Sequence, residues 1–208
     1  ENEDSLQILL QQFIGVKDNV GTMLCYKYIG LCQRKSSRFS DAIKSHQQGL
    51  DLALRMNDTI EIVQAMNNLG TNFRRIGALD EASQYHYQAL NYAETWSGLS
   101  TPTGRKNRVA SLNGIGNISL TLGYYDDAEK LFREALKDEF ILKRPIGQAI
   151  NYANLGAIFE QRQQYDSAYS YFEKSLEQNK IAKSDMGIGL CMIHIAEIYE
   201  KEQKYELA

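Results

Sequence analysis

The sequence contains little proline, little cysteine and no long apolar run. Two prolines among 208 residues, together with many alanine, leucine, glutamine and glutamate residues, favour helices over a β-sandwich or barrel. The three cysteines lack the paired spacing of a zinc site or a disulfide framework, so we expect them to act as small apolar residues. No apolar run reaches the roughly 18 residues that cross a bilayer. The acidic start, ENEDSLQILL, lacks the basic-then-apolar order of a signal peptide.

A large excess of charge of one sign is also missing. The formal net charge is −3 at pH 7. Such a chain has no overall positive field to attract nucleic acid or anionic lipid. We therefore expect neither nucleic-acid contact nor membrane contact from this stretch of chain.

What the sequence does contain is an internal repeat. Nearly the same string begins at Asn68 (NLGTNFRRIGALDEA) and at Asn154 (NLGAIFEQRQQYDSA). A small residue preceded by an apolar residue recurs five times, at separations of 40, 46, 40 and 40 residues, and alanine follows twelve residues after each. The small residues are Gly30, Gly70, Gly116, Gly156 and Ala196, and the alanines are Ala42, Ala82, Ala128, Ala168 and Ala208.

Each unit predicts two helices, A and B, joined by a short polar turn. Helices approach closely only where their side chains are small, so we expect the glycine of helix A to face the alanine of helix B. An aspartate opens helix B, where it favours the positive end of the helix dipole; these aspartates are Asp41, Asp80, Asp126 and Asp166. A single pair cannot bury its apolar surface, so neighbouring pairs have to stack.

These units resemble the tetratricopeptide repeat, whose pattern has a small residue at the eighth position, an aromatic residue near the eleventh, alanine at the twentieth and an aromatic residue at the twenty-fourth. The matching aromatic residues are Phe73, Phe159 and Tyr199 at the eleventh position and Phe132 and Phe172 at the twenty-fourth. The departures are Gln33 and Ser119 at the eleventh position and His46 and His86 at the twenty-fourth. The units are also longer than the common repeat of about 34 residues.

Units of this length are similar to those of kinesin light chains, of peptide-sensing bacterial regulators, and of the sensory arms of bacterial two-component kinases and transcription regulators. The resemblance covers almost the whole chain. It implies an all-α fold, a right-handed α-solenoid of antiparallel helix pairs with about ten helices.

The repeat register predicts a single array over residues 1–208. Its parts are 4–22 (helix B and turn of a preceding repeat), 23–57 (repeat 1), 58–98 (repeat 2), 99–108 (a longer loop), 109–144 (repeat 3), 145–184 (repeat 4) and 185–208 (an incomplete repeat 5). Helix B of the last repeat would only begin at Ala208. We therefore expect the array to belong to a longer protein.

No arrangement of residues predicts catalysis. His46 and His86 occupy core positions of the repeat, and no serine or cysteine at a recognisable spacing pairs with His194. The Gly-x-Gly strings NGIGN and MGIGL fall in helices instead of following a strand, so they do not predict a nucleotide site. We expect no enzymatic activity, no cofactor and no metal.

The resemblance also implies that the A helices line a concave groove that binds peptides. The candidate groove residues are Lys27, Arg34, Lys35, Asn67, Asn68, Arg74, Arg75, Asn113, Asn117 and Asn154. An amide both donates and accepts, so a row of asparagines could pair with the backbone of an extended peptide. The alternative is that they are solvated polar residues on an exposed helix face.

The charges in this groove change sign along the array. The first two repeats carry the basic pairs, whereas Glu160 and Glu200 hold the same place in the last two. Cations near a helix C-terminus offset its dipole, but that rule does not explain the glutamates. The two-lysine clamp of chaperone-binding members is incomplete, because Leu31, Ala110 and Gly114 stand at three of its positions.

Together these features predict a non-catalytic module that binds a protein or peptide segment, as the sensory or regulatory part of a larger signalling protein. The alternative is a structural scaffold whose groove is filled by its own chain or by a second copy, giving autoinhibition or a homodimer. The compartment is the periplasm if the chain is a sensor arm, and otherwise the cytoplasm.

Overall fold

The computed structural model describes residues 2–201, which form ten α-helices and no strand. The helices are α1 (Asn2–Gly15), α2 (Asn19–Lys35), α3 (Phe39–Met56), α4 (Thr59–Arg75), α5 (Leu79–Thr95), α6 (Pro102–Thr121), α7 (Tyr125–Ile141), α8 (Pro145–Gln161), α9 (Tyr165–Ile181) and α10 (Asp185–Lys201). The predicted all-α fold of paired helices is confirmed. None of these ten helices combines the length and apolarity of a membrane-spanning segment. Ala208, the last alanine of the repeat register, lies outside the described residues.

A left-handed residue ends most of the helices. One residue with positive φ stands in every connection except the one between α5 and α6; these are Lys17, Ser37, Asn57, Gly77, Gly123, Lys143, Gln163 and Lys183. Just after Ser37, for example, the amide of Arg38 donates to the carbonyl of Gln33 at 2.8 Å. This backbone bond closes the last helical turn and reverses the chain within a few residues. Sequential helices therefore pack antiparallel.

The starts of the helices follow the predicted chemistry. Asp18 and Asp58 cap α2 and α4, their carboxylates accepting from the backbone amides of Gly21 and Glu61 at 3.0 and 3.1 Å. The four repeated aspartates lie in the first turns of α3, α5, α7 and α9 as predicted.

The contact between helices A and B differs from the prediction in one respect. The four repeat alanines of the described chain are fully buried. What lies nearest each glycine, however, is the ring sixteen residues later on helix B. The pairs are Gly30 with His46, Gly70 with His86, Gly116 with Phe132 and Gly156 with Phe172, and a Cβ atom at each glycine would lie 2.6–2.9 Å from the ring. Glycine is needed because a flat ring rests directly on the backbone of helix A.

The chain divides into two compact units between Gly114 and Ile115, inside α6. The core of the first unit is Met23, Leu50, Ala53, Ile62, Val63, Met66, Leu69, Ala89 and Ala93. The second unit has one cluster around Phe132, Leu155 and Ile158 and another around Phe172 and Ile198.

The predicted loop at 99–108 is shorter than expected, because α6 begins at Pro102. The hydroxyl of Thr101 accepts from the backbone amide of Gly104 at 3.1 Å and so caps this helix. Proline suits the first helical position, where an amide hydrogen is not needed. Most of the Ser, Thr, Pro and Gly residues of this stretch therefore form the start of α6 and not a loop.

Asn72 is a polar residue at a core position of the repeat where an apolar side chain is usual. Asn72 is fully buried, and neither its Oδ1 nor its Nδ2 atom has a hydrogen-bond partner among residues 2–201. The equivalent residues of three other repeats are the buried Ile118, Ile158 and Ile198. An unpaired buried amide costs stability that an apolar side chain would not.

Replacing Asn72 with isoleucine is therefore expected to stabilise the protein. The gain should be about 2 kcal/mol, since the desolvation cost of one buried polar group is removed and its space is filled. Urea denaturation followed by circular dichroism measures it. Asn91→Ile, on the exposed surface of α5, is the matched control and should change little. A lower unfolding free energy for Asn72→Ile would contradict the prediction.

Candidate functional site

A pocket with positive charge lies in the first unit, among α2, α4 and α6. Its volume is about 840 Å³. The lining residues are Leu31, Arg34, Lys35, Ser37, Phe39, Asn67, Asn68, Thr71, Arg75 and Ala110. Three of them are cations and none is acidic. We call this site the cationic pocket; it contains five of the ten predicted groove residues.

The repeat register explains why these side chains meet. Helices α2 and α4 are the A helices of neighbouring repeats, so positions 40 residues apart lie side by side. Arg34 and Lys35 occupy the last turn of α2, and Arg74 and Arg75 the last turn of α4. The C-terminal ends of both helices therefore direct basic side chains to the same region, where they also offset the helix dipoles.

The positive charges of the pocket are not neutralised within the described chain. Among residues 2–201, neither Arg34, Lys35 nor Arg75 forms an ion pair with a carboxylate. Burial, and next the positive charge of Arg75, lower the pKa of Arg34 below its ordinary value. Two guanidinium groups thus repel each other in a partly dry site. A bound anion would relieve that repulsion.

Asn68 orders one of these arginines. The Nη1 atom of Arg34 donates to Oδ1 of Asn68 at 3.0 Å. This bond uses the acceptor of the amide and leaves its NH₂ group without a partner in the described residues. Arg34 and the NH₂ group of Asn68 together therefore offer several donors, which suits a carboxylate or a peptide carbonyl.

Asn67, the neighbouring asparagine, has a structural role instead. It is buried, its Nδ2 atom donates to the hydroxyl of Ser111 at 2.9 Å, and its Oδ1 atom lies 2.9 Å from Nδ1 of His86. These bonds join α4 to α5 and α6. Its amide is consequently occupied inside the first unit, although the residue borders the pocket.

Two further predicted cations lie outside the cationic pocket. Lys27 forms an ion pair with Glu61 at 2.9 Å and donates to Gln64, so its charge is compensated within the unit. Arg74 is half-buried, and burial and then the charge of Arg75 lower its pKa. After burial, the positive charge of Arg74 also lowers the pKa of His86.

The remaining predicted asparagines do not line the pocket either. Asn113 is a half-buried residue of the first unit, and its Oδ1 atom is buried without a partner in the described residues. Asn117 and Asn154 are half-buried residues of the second unit. Glu160, one of the two glutamates that replace the basic pairs in the last two repeats, forms an ion pair with Lys201.

One cluster in the second unit has groups that bind metals. Glu160, His194 and Glu197 each place a ligand atom within 4.8 Å of the other two. The ammonium group of Lys201, however, lies against Glu160 and already compensates its charge. These contacts give no reason to assign a metal here.

Sequence reasoning missed the part of the pocket that a turn supplies. Ser37 lies in the connection between α2 and α3, and Phe39 is the first residue of α3. A groove built only from A helices does not include them. The short polar turn that the repeat predicts after each A helix is the signal that could have added these two residues.

Comparisons with known proteins agree with this architecture. Family models described as tetratricopeptide repeat match residues 62–95, 108–138 and 152–184. No curated protein is matched by the sequence.

Similar solved structures share the fold at low sequence identity. The structure of BtubC (BKLC) from P. vanneervenii has a TM-score of 0.80 and 16% identity, and the match covers 99% of this chain and 85% of that one. A Rap protein complexed with Competence and Sporulation Factor has a TM-score of 0.78 and 18% identity, over 95% of this chain and 54% of that chain. NprR in complex with its cognate peptide NprX has a TM-score of 0.70 and 17% identity, over 98% and 58%. The chain thus spans little more than half the length of the Rap and NprR chains. With its repeated helix pairs, its buried alanines and the matching family models, the chain belongs to the tetratricopeptide repeat proteins, with units of about 40 residues.

Proposed function

We propose that this chain is a non-catalytic module that binds an extended, acidic segment of protein in the cationic pocket. The observation that carries the proposal is a pocket lined by three cations and no carboxylate. In this proposal the module is the sensory or regulatory part of a larger signalling protein, and the bound segment is its signal.

The chemistry of the pocket supports an acidic occupant. Arg34 and Arg75 can each hold a carboxylate through two parallel hydrogen bonds, and Lys35 adds a third positive charge. The free NH₂ group of Asn68 is a donor for a main-chain carbonyl. Two structures with a similar fold contain a bound partner: the Rap protein is complexed with Competence and Sporulation Factor, and NprR with its cognate peptide NprX.

Reversing two charges of the pocket is expected to remove most of the binding. In Arg34→Glu with Arg75→Glu, a carboxylate ligand meets like charges, so the affinity of an acidic peptide should fall at least roughly tenfold, mainly through slower association. Binding to the unmodified protein should also weaken as salt rises. Peptides selected from a random library on the unmodified protein, then measured by surface plasmon resonance, give both rates.

A matched control distinguishes the effect of the pocket charges on affinity from the effect of the net charge of the whole chain. Lys44→Glu with Arg55→Glu changes the net charge equally on α3, away from the pocket lining. It should leave the affinity nearly unchanged. Selection of basic peptides, or equal binding by the pocket variant and the control, would show that the cationic pocket is not the site.

A scaffold that self-associates is the second candidate, because α10 exposes large apolar side chains. Met186, Leu190, Met192 and Ile193 are each more than half exposed. Such a face favours contact with another chain. Light scattering over a range of concentrations distinguishes the two: a monomer that binds selected peptides supports the module, and a dimer that binds none supports the scaffold.

A further inference from the structure

We infer that the bound segment carries a large apolar side chain beside its acidic group, and that this side chain enters a second pocket adjoining the cationic one. This inference rests on the proposed function and defines the class of ligand. The second pocket, here called the apolar pocket, lies between α1 and α2 and has a volume of about 440 Å³.

The lining of the apolar pocket suits a hydrocarbon side chain. It consists of Ser5, Leu6, Tyr28, Leu31, Cys32 and Lys35. Four of these six side chains are apolar or aromatic, and none is acidic. Tyr28 remains 49% exposed, so a side chain placed there would cover aromatic surface that water now contacts.

The two pockets adjoin along one face of α2. Leu31 and Lys35 line both of them. They are four residues apart, hence neighbours on the helix surface, and Tyr28 lies three residues before Leu31 on the same face. The hydrocarbon stem of Lys35 can border the apolar pocket while its ammonium group lies at the cationic pocket. A ligand held by Arg34 and Arg75 therefore has the apolar pocket within reach of a nearby residue.

This pairing gives the module a way to select among acidic segments. Cations accessible to water attract any acidic peptide, so on their own they discriminate poorly. An adjoining apolar pocket adds affinity for ligands with an apolar neighbour and disfavours ligands that would place a second charge there. We therefore expect recognition of an acidic and apolar pair, and not of acidity alone.

Short fluorescent peptides test the inference directly. Each carries an Asp-Glu pair flanked on either side by leucine, phenylalanine or alanine. The leucine and phenylalanine peptides should bind roughly tenfold more tightly than the alanine peptide, because burying the larger side chain removes more apolar surface from water. Tyr28→Glu should reduce that preference to about twofold or less, since the new carboxylate lines the apolar pocket.

Matched controls are available for both the variant and the site. Tyr87 on α5 is 56% exposed, lies in the same unit and lines neither pocket, so Tyr87→Glu should keep the preference. Cys32 is the only partly exposed cysteine, because Cys25 and Cys191 are buried. Leucine and phenylalanine peptides should therefore slow alkylation of Cys32 by a maleimide, whereas the alanine peptide should not.

The outcomes separate this inference from the proposed function. A preference for leucine or phenylalanine that depends on Tyr28 and protects Cys32 supports the inference. Equal binding of all three peptides that is lost in Arg34→Glu with Arg75→Glu overturns it and leaves the proposed function standing. Absence of binding by any of the acidic peptides overturns both.

Discussion

Acidification from pH 7 to pH 4 is expected to destabilise the protein strongly, through two buried histidines. Burial lowers the pKa of His46 from 6.5 to about 4, and the positive charges of Arg34 and Lys27 add to this effect. Burial and the charge of Arg74 lower the pKa of His86 from 6.5 to about 4 as well. Both rings are 1% exposed. Each lies buried against the glycine of helix A, where a charged imidazolium would be poorly solvated.

The direction of the effect follows from which state binds the protons. Between pH 6.5 and 4 the unfolded chain protonates these histidines, whereas the folded chain keeps them neutral. Acid therefore favours unfolding. The stability is present in full above pH 6.5 and is lost as the pH falls toward 4. The loss should approach about 3 kcal/mol for each histidine.

Urea denaturation at a series of pH values between 7 and 4 measures this loss. The repeats themselves suggest the matched variant, because Phe132 and Phe172 occupy the equivalent positions of the second unit. His46→Phe with His86→Phe should flatten the dependence on pH, even where the lost bond between His86 and Asn67 lowers stability at pH 7. An equally steep loss in the double phenylalanine variant would rule out these histidines as its cause.

The helix pattern could be predicted from the sequence because it depends on local and periodic signals. Small residues, buried alanines and first-turn aspartates recur at a fixed spacing, and each has a direct physical reason. The loop before α6 was predicted too long because serine, threonine, proline and glycine occur in loops and at helix starts alike. Thr101 and Pro102 are residue types that also occur in loops. Only the helix that follows them shows that they form a helix start.

The site was harder to predict because its partners are distant in the sequence. Asn67 and Asn68 are adjacent and chemically identical. The first bonds with His86 and Ser111, 19 and 44 residues away, whereas the second holds Arg34 beside the pocket. Periodicity indicates that both lie near the groove. Which of them is available for a ligand depends on packing between repeats.

The same dependence on packing makes Gly156 a position where a larger residue should be costly. A Cβ atom there would lie 2.9 Å from the ring of Phe172. That ring is fully buried and is stacked against His194, with a centroid distance of 4.7 Å. It therefore cannot move away without disturbing α10, and the added side chain has no space to fill.

Gly156→Leu is accordingly expected to lower the free energy of unfolding by about 3 kcal/mol, near the upper end of the cost of overpacking a core. The matched control is Gly189→Leu in α10, where a Cβ atom would meet nothing within 4 Å beyond its chain neighbours and the backbone of its own helix. There leucine should be neutral or stabilise by up to about 1 kcal/mol, since it favours helix more than glycine does. Thermal and urea denaturation compare the two. If Gly156→Leu does not fold, Gly156→Ala tests the same contact at a smaller cost, and Phe172→Ala added to Gly156→Leu should recover part of the stability. Equal stabilities for the two leucine variants would mean that this glycine is not required by the ring of Phe172.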